Sequence, residues 1–552
     1  MRTSTDASVG SARRPRRLRA SEWALLAALL GAAAVIGLLP SASRQIWSQD
    51  EARMVLLADD ALRRGGQLPA LVRDQPYLNK PPLFFWSIAL VAWPGGHVSD
   101  RVAAIPAVAA SLATMLGAFA LGRRLSSPHT GFVAMAVLAT APGFFLHGHE
   151  ILPDGMFAAW LTWALYFLVG ALADARPRAV DLAGFYLCVA GALWTKGLPA
   201  LMAIPAMFAA ALASAGARHL LRLRPLIGGG FVLLTALAWA VPYARTPGAE
   251  RSQSVGAAYS IVWYLDRYRH LSSIPFGDGL LIFLPWTLWL IPAAVWWRLA
   301  PDRDAYRPVL AWMLVLLFLI GLSVQQRSRY LLPVYPLLAL FVAASVTGAA
   351  ARARPLRRLE VGILWVCLAF GAIGGVWLVF APSGLASGTP LGAFIPDDRA
   401  TRALLAALAV AAPALGLREL LAGRSPARAV GWIAGALALG LLVEAFVYPA
   451  RLAAQYPVRN FAEQARAALD PSAPLWAYPD ANLSFDVYLD RPVVELTAPA
   501  EVARRLEAPA AGGLLLRGAD WNRWRASAHP TWCPAGRAVI GLRSFALVAR
   551  CR

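Results

Sequence analysis

Long apolar runs separated by short polar turns occupy most of the chain. A helix needs about 20 residues to cross a bilayer, and thirteen of the runs reach or approach that length. We predict membrane-spanning helices at 22–40, 99–122, 131–148, 153–173, 181–195, 198–214, 225–243, 278–297, 308–324, 331–349, 360–381, 402–418 and 430–447. This pattern is typical of an all-α polytopic membrane protein.

Polar positions return between the first two predicted spans, in the loop 44–98. Residues 50–64 have an amphipathic helical pattern, and residues 81–93 form a second apolar helix that is too short to cross. We predict that these are two interfacial loop helices, which leaves the spans before and after them as the crossing elements.

The last hundred residues have a different pattern, in which strand-like runs alternate with polar helical stretches. The runs PLWAYPD, PVVELTA, GGLLLRG and RAVIGLRSFALVA predict strands, and NFAEQARAAL and EVARRLE predict helices. We therefore predict three parts: a disordered cytoplasmic segment 1–21, a transmembrane domain 22–450 and an outer α/β domain 451–552.

Composition and charge support a membrane protein and set its orientation. Of the 552 residues, 58% are hydrophobic and 15% are charged, a balance that soluble globular proteins do not reach. The net charge of +21 comes from arginine clusters between apolar runs. Because these clusters fall on the side of the basic amino terminus, they follow the positive-inside rule and do not indicate nucleic-acid binding.

Carboxylates collect on the opposite, outer face of the predicted topology. Asp50 and Glu51 lie in the first outer loop, and Glu150 and Asp154 lie in the turn HGHEILPDG. Solvated charges explain most acidic pairs, and Asp154 before an apolar run is also a reasonable helix cap. Alternatively, an outer-face carboxylate can act as a general base on an acceptor hydroxyl.

Cations converge on the same outer face. Lys80 precedes Pro81 and Pro82, so we predict it at the amino terminus of a helix, a favourable place to bind phosphate. The other outer cations are Arg53, Lys196, Arg267, Arg269, Arg327 and Arg329. Each could be a snorkelling surface charge, but a phosphate leaving group also needs positive charge where negative charge develops.

These motifs, in this order, resemble the bacterial membrane glycosyltransferases of the GT-C fold. They are the acidic pair at 50–51, Tyr-x-x-Lys-Pro at 77–81, Asp154, Thr-Lys-Gly at 195–197, and an arginine–tyrosine turn followed by LLPVYP. Within that fold, residues 20–350 are similar to the protein O-mannosyltransferase superfamily and to the related lipid A 4-amino-4-deoxy-L-arabinose transferases.

The resemblance implies a multi-pass enzyme of the bacterial inner membrane. It would move a sugar, with inversion, from a polyprenyl phosphate such as undecaprenyl phosphate to lipid A, a glycan or a protein at the periplasmic face. Asp50 would be the principal catalytic carboxylate, with Asp154 and Glu51 as further ones, and Lys80 and Arg53 would hold the donor phosphate. We add as phosphate-binding candidates Arg327, Arg329, Arg267 and Arg269, and as pocket residues Tyr77, Asn79, Glu150, Lys196 and Tyr330.

Metal binding is where this chain departs from the aminoarabinose transferases. Those proteins have a glutamate before the lysine and a histidine in the loop matching WYLDRYRH, and the two can hold a metal. This chain has Asn79 and, near the matching place, Arg267, although His270 is close by. His147 and His149 are two residues apart and point away from each other on a helix. We assign no metal ligand and no cofactor, and a divalent metal stays open as an alternative.

Two other functional classes are compatible with a polytopic chain: a transporter or lipid flippase, and a non-catalytic assembly partner. Transporters place ionisable groups at mid-membrane depth in broken helices, whereas the acids here lie at the outer ends of the predicted spans. Uptake or flipping in reconstituted vesicles without sugar transfer would favour a transporter.

Overall fold

The computed structural model divides into two compact units. The first consists of Met1–Gly37, Leu78–Phe84 and Pro106–Glu444, and the second of Leu38–Tyr77, Phe85–Ile105 and Ala445–Arg552. The residues that the structure describes are 17–39, 45–46, 48–174, 176–214, 216–247, 278–322, 327–380, 395–470, 472–479, 482–489, 491, 493–507, 512–524, 532–540 and 543–550.

Helices dominate the described residues. In chain order they are α1 (Ala20–Leu38), α2 (Gln49–Arg63), α3 (Leu83–Ala92), α4 (Asp100–Leu125), α5 (Pro128–Ala139), α6 (Pro142–Gly148), α7 (Pro153–Ala173), α8 (Ala179–Lys196), α9 (Ala203–Ser214), α10 (Arg218–Arg222), α11 (Pro225–Ala244), α12 (Asp278–Leu281), α13 (Trp286–Leu299), α14 (Arg307–Gly321), α15 (Tyr335–Thr347), α16 (Arg354–Phe380), α17 (Arg399–Leu421), α18 (Pro426–Gln455), α19 (Val458–Ala468), α20 (Ser484–Leu489), α21 (Pro499–Glu507) and α22 (Gly518–Trp524). Short 3-10 helices lie at Trp93–Gly95, Leu198–Met202, Arg303–Tyr306 and Ser328–Leu331.

A helix lies at each of the thirteen segments predicted to span the membrane. By length and apolar composition, eight helices of the described part can cross a membrane, and the pair α5 and α6, bent by 69°, adds a ninth if it forms one span. The remaining four segments contain α8, α9, α13 and α15, which fall below that length or apolarity. The two predicted loop helices are present as α2 and α3.

Within the first unit, α7 and α8 pack closely because small residues line their contact. Gly184 and Gly191 of α8 lie against the rings of Phe167 and Trp160, and a Cβ built at either glycine would lie 2.6 Å from the ring. Small residues of this kind let helix backbones approach within a bilayer. Close packing of these two helices determines how the last turn of α8 lies beside the first turn of α7.

The strands of the described residues are β1 (Leu71–Val72), β2 (Gln75–Pro76), β3 (Leu475–Tyr478), β4 (Val493–Glu495), β5 (Gly513–Arg517), β6 (Trp532–Ile540) and β7 (Arg543–Arg550). In the second unit, the last five form a mixed sheet in the order β4-β3-β5-β7-β6. β3 is parallel to β4 and β5, whereas β7 is antiparallel to β5 and β6. The amphipathic helix α19 buries Phe461, whose ring contacts Phe485, which in turn contacts Phe545 of β7.

The predicted C-terminal runs therefore form strands, but the unit also includes part of the first loop. The predicted domain boundary placed the loop 44–98 with the transmembrane helices, whereas residues 38–77 and 85–105 cluster with the C-terminal segment. One buried contact is the Tyr488 hydroxyl, which accepts from the Ile46 amide at 2.6 Å and donates to Asp100 Oδ2 at 2.7 Å. Burial and the charge of Asp100 raise the pKa of Tyr488, so its phenol stays protonated and can donate.

A second contact between these segments is made by Arg73, at the tip of the β1–β2 hairpin. Its guanidinium donates to both carboxylate oxygens of Asp486, at 2.9 and 2.6 Å. Arg73 and Asp74 have φ values of 52° and 60°, in the left-handed region that a two-residue hairpin turn requires. That conformation costs a non-glycine residue about 1–2 kcal/mol, and the bidentate pair with Asp486 offsets the cost.

We expect Arg73→Met to destabilise the second unit by about 3–5 kcal/mol, the range for breaking one partner of a buried pair. The reason is that Asp486, 4% exposed, would keep a buried charge without its guanidinium. The effect is measured by heating the purified protein and using protease cleavage within residues 453–552 to detect unfolding of the second unit. Arg523→Met removes an arginine that is 69% exposed and is the control, with an expected change below about 1 kcal/mol. Equal unfolding midpoints for the two variants would contradict the assignment.

Candidate active site

Asp154 and Lys196 form a buried ion pair in the first unit. Asp154 lies in the first turn of α7 and Lys196 in the last turn of α8. The Lys196 Nζ donates to Asp154 Oδ1 at 2.6 Å, and the side chains are 11% and 7% exposed. The helix dipole favours an anion at a helix amino end and a cation at a carboxyl end, so both helix termini stabilise the charges placed there.

The predicted Thr-Lys-Gly turn explains why α8 stops at Lys196. Gly197 has a φ of 76°, a conformation that glycine adopts without a steric penalty. Its amide donates to the Leu193 carbonyl, which closes the last turn of α8. The side chain of Lys196 is therefore held at a defined helix end instead of along an extended loop.

Two consecutive residues of the Ser328–Leu331 3-10 helix complete the surroundings of this pair. Arg329 Nε lies 3.8 Å from Asp154 Oδ2, and its Nη1 lies 4.0 Å from Glu150 Oε2. The ring centroid of Tyr330 lies 4.4 Å from Lys196 Nζ, at cation–π distance. Asp154 thus has a cation on each side, and an aromatic face covers one of them.

Lys80 also belongs to the first unit, and its positive charge acts on Asp154 together with those of Lys196 and Arg329. Its backbone carbonyl accepts a hydrogen bond from the Tyr243 hydroxyl at 3.0 Å. The prediction that Lys80 begins a helix is wrong, because α3 starts at Leu83. The reason is the second proline: Pro82 disfavours helical geometry at Pro81, so the helix cannot extend back to the lysine.

His147, Glu150 and Ser328 form a hydrogen-bonded triad next to this cluster. His147 Nδ1 lies 3.1 Å from Glu150 Oε1, and His147 Nε2 lies 2.8 Å from Ser328 Oγ. The imidazole is 11% exposed. His149 makes a separate contact with the Phe145 carbonyl, so the two histidines point apart, as their spacing predicts.

In the second unit, three further predicted site residues lie together. Asp50, in the first turn of α2, accepts a hydrogen bond from Arg53 Nη1 at 3.0 Å. The Arg53 guanidinium carbon lies 5.6 Å from the ring centroid of Tyr77. Glu51 is 3% exposed and belongs to the buried face of α2. Asp50 is the more accessible acid of the pair, with its side chain 31% exposed.

Four candidates remain. Asn79 and Arg327 are exposed, in the first unit, and Arg267 and Arg269 lie outside the described residues. Within the described ranges, no group of three or more His, Cys, Asp or Glu side chains could hold a metal ion. The sequence predictions missed Ser328, His147 and Tyr243. The His-x-x-Glu spacing at 147–150 is the signal that could have pointed to the triad, since residues three apart meet on a helical turn.

Among the described residues, the first-unit cluster of Lys80, Lys196, Arg329, Asp154 and Glu150 has one more cation than carboxylates. Lys80, Lys196 and Arg329 supply positive charge, and Asp154 and Glu150 supply negative charge. In a largely buried site, fixed positive groups stabilise a phosphate or a developing phosphate charge far more than they would in water. The chemistry that this arrangement supports is the binding of a phosphorylated group and the departure of a phosphate.

Comparison with known proteins relates part of the chain to sugar transferases. Residues 79–242 match the family model described as dolichyl-phosphate-mannose-protein mannosyltransferase. The undecaprenyl phosphate-α-4-amino-4-deoxy-L-arabinose arabinosyl transferase of Pectobacterium carotovorum is 26% identical over 355 residues, which are 62% of each chain. The protein of the same name from Yersinia enterocolitica is 25% identical over 460 residues, 80% of this chain and 79% of the relative. The match thus spans less than two thirds of the length of the Pectobacterium relative.

The fold agrees with that of a solved structure. The crystal structure of ArnT from Cupriavidus metallidurans bound to undecaprenyl phosphate superposes with a TM-score of 0.75 at 16% identity, covering 96% of this chain and 98% of ArnT. Together with the family match, this confirms the predicted resemblance and the GT-C architecture with a C-terminal sheet. The chain is a multi-pass membrane protein.

Proposed function

We propose that the protein is a glycosyltransferase that moves a sugar from a polyprenyl phosphate to an acceptor, with inversion at the anomeric carbon. The observation that carries the proposal is the buried Asp154–Lys196 pair, with Arg329 and Lys80 acting on the same carboxylate. Their net positive charge suits a lipid phosphate, first as the bound donor and then as the leaving group. The similar proteins are named as users of undecaprenyl phosphate sugars, which supports this donor class.

In this proposal Lys196, Arg329 and Lys80 hold the donor phosphate, and Asp154 keeps Lys196 and Arg329 in position. Arg327, Arg267 and Arg269 remain candidate phosphate contacts, and Asn79, Glu150 and Tyr330 remain candidate pocket residues. In the second unit Asp50 is the principal catalytic carboxylate and Glu51 a further one, Arg53 is a candidate phosphate contact, and Tyr77 is a candidate residue of the donor pocket. Substitution of each residue tests its role.

The proposed location is the bacterial inner membrane, with the active site and the domain 451–552 on the periplasmic side. The arginine clusters between spans support this orientation through the positive-inside rule. Cys533 is disulfide-bonded, and disulfides persist in oxidising compartments such as the periplasm. Residues 1–21 would be cytoplasmic and residues 22–450 the membrane domain.

The test is reconstitution of the purified chain in vesicles with candidate polyprenyl-phosphate sugars. Undecaprenyl phosphate-α-4-amino-4-deoxy-L-arabinose is the first donor to use, because the similar proteins are named for it. Lipid A, glycan and protein acceptors are offered in parallel, and mass spectrometry detects the transferred sugar and the released lipid phosphate. Lipid flipping without any sugar transfer would contradict the proposal and favour the transporter class.

We expect Tyr330→Leu to weaken binding of the donor, measured as KM, by about 3- to 30-fold, whereas Tyr330→Phe keeps it within about twofold. The reason is the cation–π contact with Lys196, worth about 0.5–2 kcal/mol, which phenylalanine preserves and leucine removes. Initial rates at varied donor concentration measure both variants. Equal KM values for leucine and phenylalanine would show that the ring does not position Lys196.

A further inference from the structure

The Ser328–His147–Glu150 triad has the hydrogen-bond order of an activated hydroxyl. An ionised Glu150 only accepts hydrogen bonds, so its contact with His147 places the imidazole proton on Nδ1. Nε2 of the neutral imidazole is then the acceptor, and the Ser328 hydroxyl donates to it across 2.8 Å. A hydroxyl, an imidazole base and an orienting carboxylate in this order can remove a proton from the hydroxyl group.

The triad is directly connected to the first-unit cluster. Ser328 is adjacent to Arg329, which lies 3.8 Å from Asp154 and 4.0 Å from Glu150. Among the described residues, Glu150 Oε2 is buried with no hydrogen-bond partner, and the Arg329 guanidinium 4.0 Å away compensates its negative charge. One short 3-10 helix therefore carries the hydroxyl of the triad, a cation of the cluster and, at Tyr330, the ring over Lys196.

We infer that Ser328 and His147 form a proton relay for the acceptor, and that the acceptor group is a hydroxyl. This inference rests on the proposed function and deepens it, because an ionised phosphate acceptor would need no base whereas a hydroxyl does. Ser328 and His147 are partly exposed, as a relay that meets a substrate requires. Glu150 is a positioning residue, since it acts through the imidazole and stabilises the imidazolium once formed.

The acceptor hydroxyl passes its proton to Ser328 Oγ while the Ser328 proton moves to His147 Nε2. The acceptor oxygen forms a bond to the anomeric carbon, and the bond from that carbon to the donor phosphate oxygen breaks. The electron pair stays on the phosphate, which leaves as polyprenyl phosphate, and the imidazolium later releases its proton to water.

The first test is chemical rescue in the reconstituted transfer assay. His147→Gly is expected to lower kcat by about 10²-fold, the lower end of the range for general bases, with a donor KM within about threefold. Added imidazole is expected to raise the kcat of His147→Gly at least tenfold, whereas it is expected to leave the inactive Asp154→Asn variant unchanged. A kcat of His147→Gly near the wild-type value would overturn the relay, and so would a loss that imidazole does not recover.

Substitutions at Ser328 test whether its hydroxyl takes part in the relay. Ser328→Ala is expected to lower kcat about 10- to 30-fold and Ser328→Thr to retain most activity, because threonine keeps the hydroxyl. Ser345→Ala is the matched control, since that serine donates to the Val342 carbonyl in α15, and its kcat is expected to stay within about twofold. Ser328→Ala with wild-type kcat would remove the serine from the relay. In competition, a hydroxyl acceptor should accept sugar in preference to a phosphate acceptor, and the reverse preference would overturn the inference.

A second measurement separates failure of the relay from failure of the proposed function. A fluorophosphonate probe reacts with serine hydroxyls activated by an imidazole, and this labelling does not depend on sugar transfer. Wild-type protein labelled at Ser328, with labelling lost in His147→Gln, supports the relay even if no tested donor is used. Wild-type protein that transfers sugar but stays unlabelled, with Ser328→Ala fully active, overturns the relay and leaves the proposed function intact. Without either transfer or labelling, both fall.

Discussion

Lys196→Met is expected to lower sugar transfer by about 10³-fold while the protein still inserts in the membrane. Removing one group that stabilises developing negative charge in a dry site costs about 10²–10³-fold in rate. Here the loss also leaves Asp154, 5% exposed, facing Arg329 across 3.8 Å in place of its 2.6 Å partner. Initial rates in vesicles, normalised to the amount of inserted protein, measure the effect.

A double-substitution cycle tests whether Asp154 acts through Lys196. Asp154→Asn is expected to lose nearly as much activity as Lys196→Met. The double variant is expected to lose no more activity than the less active of the two single variants. Residues that act as a unit are strongly non-additive in this way. Multiplied losses in the double variant would show that the carboxylate has an independent role.

Arg124→Met is the matched control for this cycle. Arg124 and Asp181 form an ion pair with side chains 9% and 4% exposed, and Asp181 lies in the first turn of α8, at the opposite end from Lys196. Breaking this buried pair should destabilise the first unit by less than the cost of a fully unpaired charge, about 3–5 kcal/mol, because Asp181 keeps its contact with Arg178 Nε at 3.1 Å. Its transfer rate per folded molecule should stay within about threefold. An equal loss of transfer in Arg124→Met would reduce the Lys196 effect to one of stability.

Asp50→Asn is expected to lower transfer by about 10³-fold without a large change in stability. The substitution preserves shape, and the side chain is 31% exposed, so the ion pair with Arg53 contributes little to the free energy of unfolding. Because the proposed relay removes the acceptor proton, Asp50 would counter the positive charge that develops on the sugar, and loss of such electrostatic stabilisation costs about 10²–10³-fold in rate. Donor turnover and the unfolding midpoint, measured on the same preparations, separate the two effects.

Asp59→Asn gives a control on the same helix. Asp59 pairs with Arg63 in α2, as Asp50 pairs with Arg53, and its side chain is 25% exposed. Because Asp59 is outside the predicted site, its amide variant should retain transfer within about twofold. Full activity in Asp50→Asn would withdraw the catalytic assignment and leave Asp50 as a residue that positions Arg53.

The helices were accessible to prediction because their signal is local. A run of apolar residues must be helical in a bilayer, where each backbone polar group needs an internal partner, and all thirteen predicted segments contain helices. Helix ends with local causes were equally predictable, as at Gly197, which ends α8 beside Lys196. Where two local rules compete, as at Pro81 and Pro82, the prediction is wrong. The helix was predicted to begin at residue 81, but α3 begins at Leu83.

The contacts between site residues could not be predicted from local sequence patterns. Asp154 and Lys196 are 42 residues apart, Ser328 and His147 are 181 apart, and Arg73 and Asp486 are 413 apart. No periodicity or spacing encodes such contacts, since they depend on how helices and loops pack after each has formed. The resemblance singled out Asp154, Lys196 and Arg329 as candidates, but it did not pair them.

Local sequence patterns were thus enough to predict the membrane class, the helical segments, the C-terminal strands and the residue types available for phosphate chemistry. These properties follow from composition and from patterns a few residues long. The packed structure was needed to show that Lys196 neutralises Asp154, that Ser328 completes a triad with His147 and Glu150, and that part of the first loop belongs with the C-terminal sheet. The physical reason is that side chains distant in sequence meet through the packing of whole elements, and the glycine-lined contact between α7 and α8 sets that packing for the Asp154–Lys196 pair.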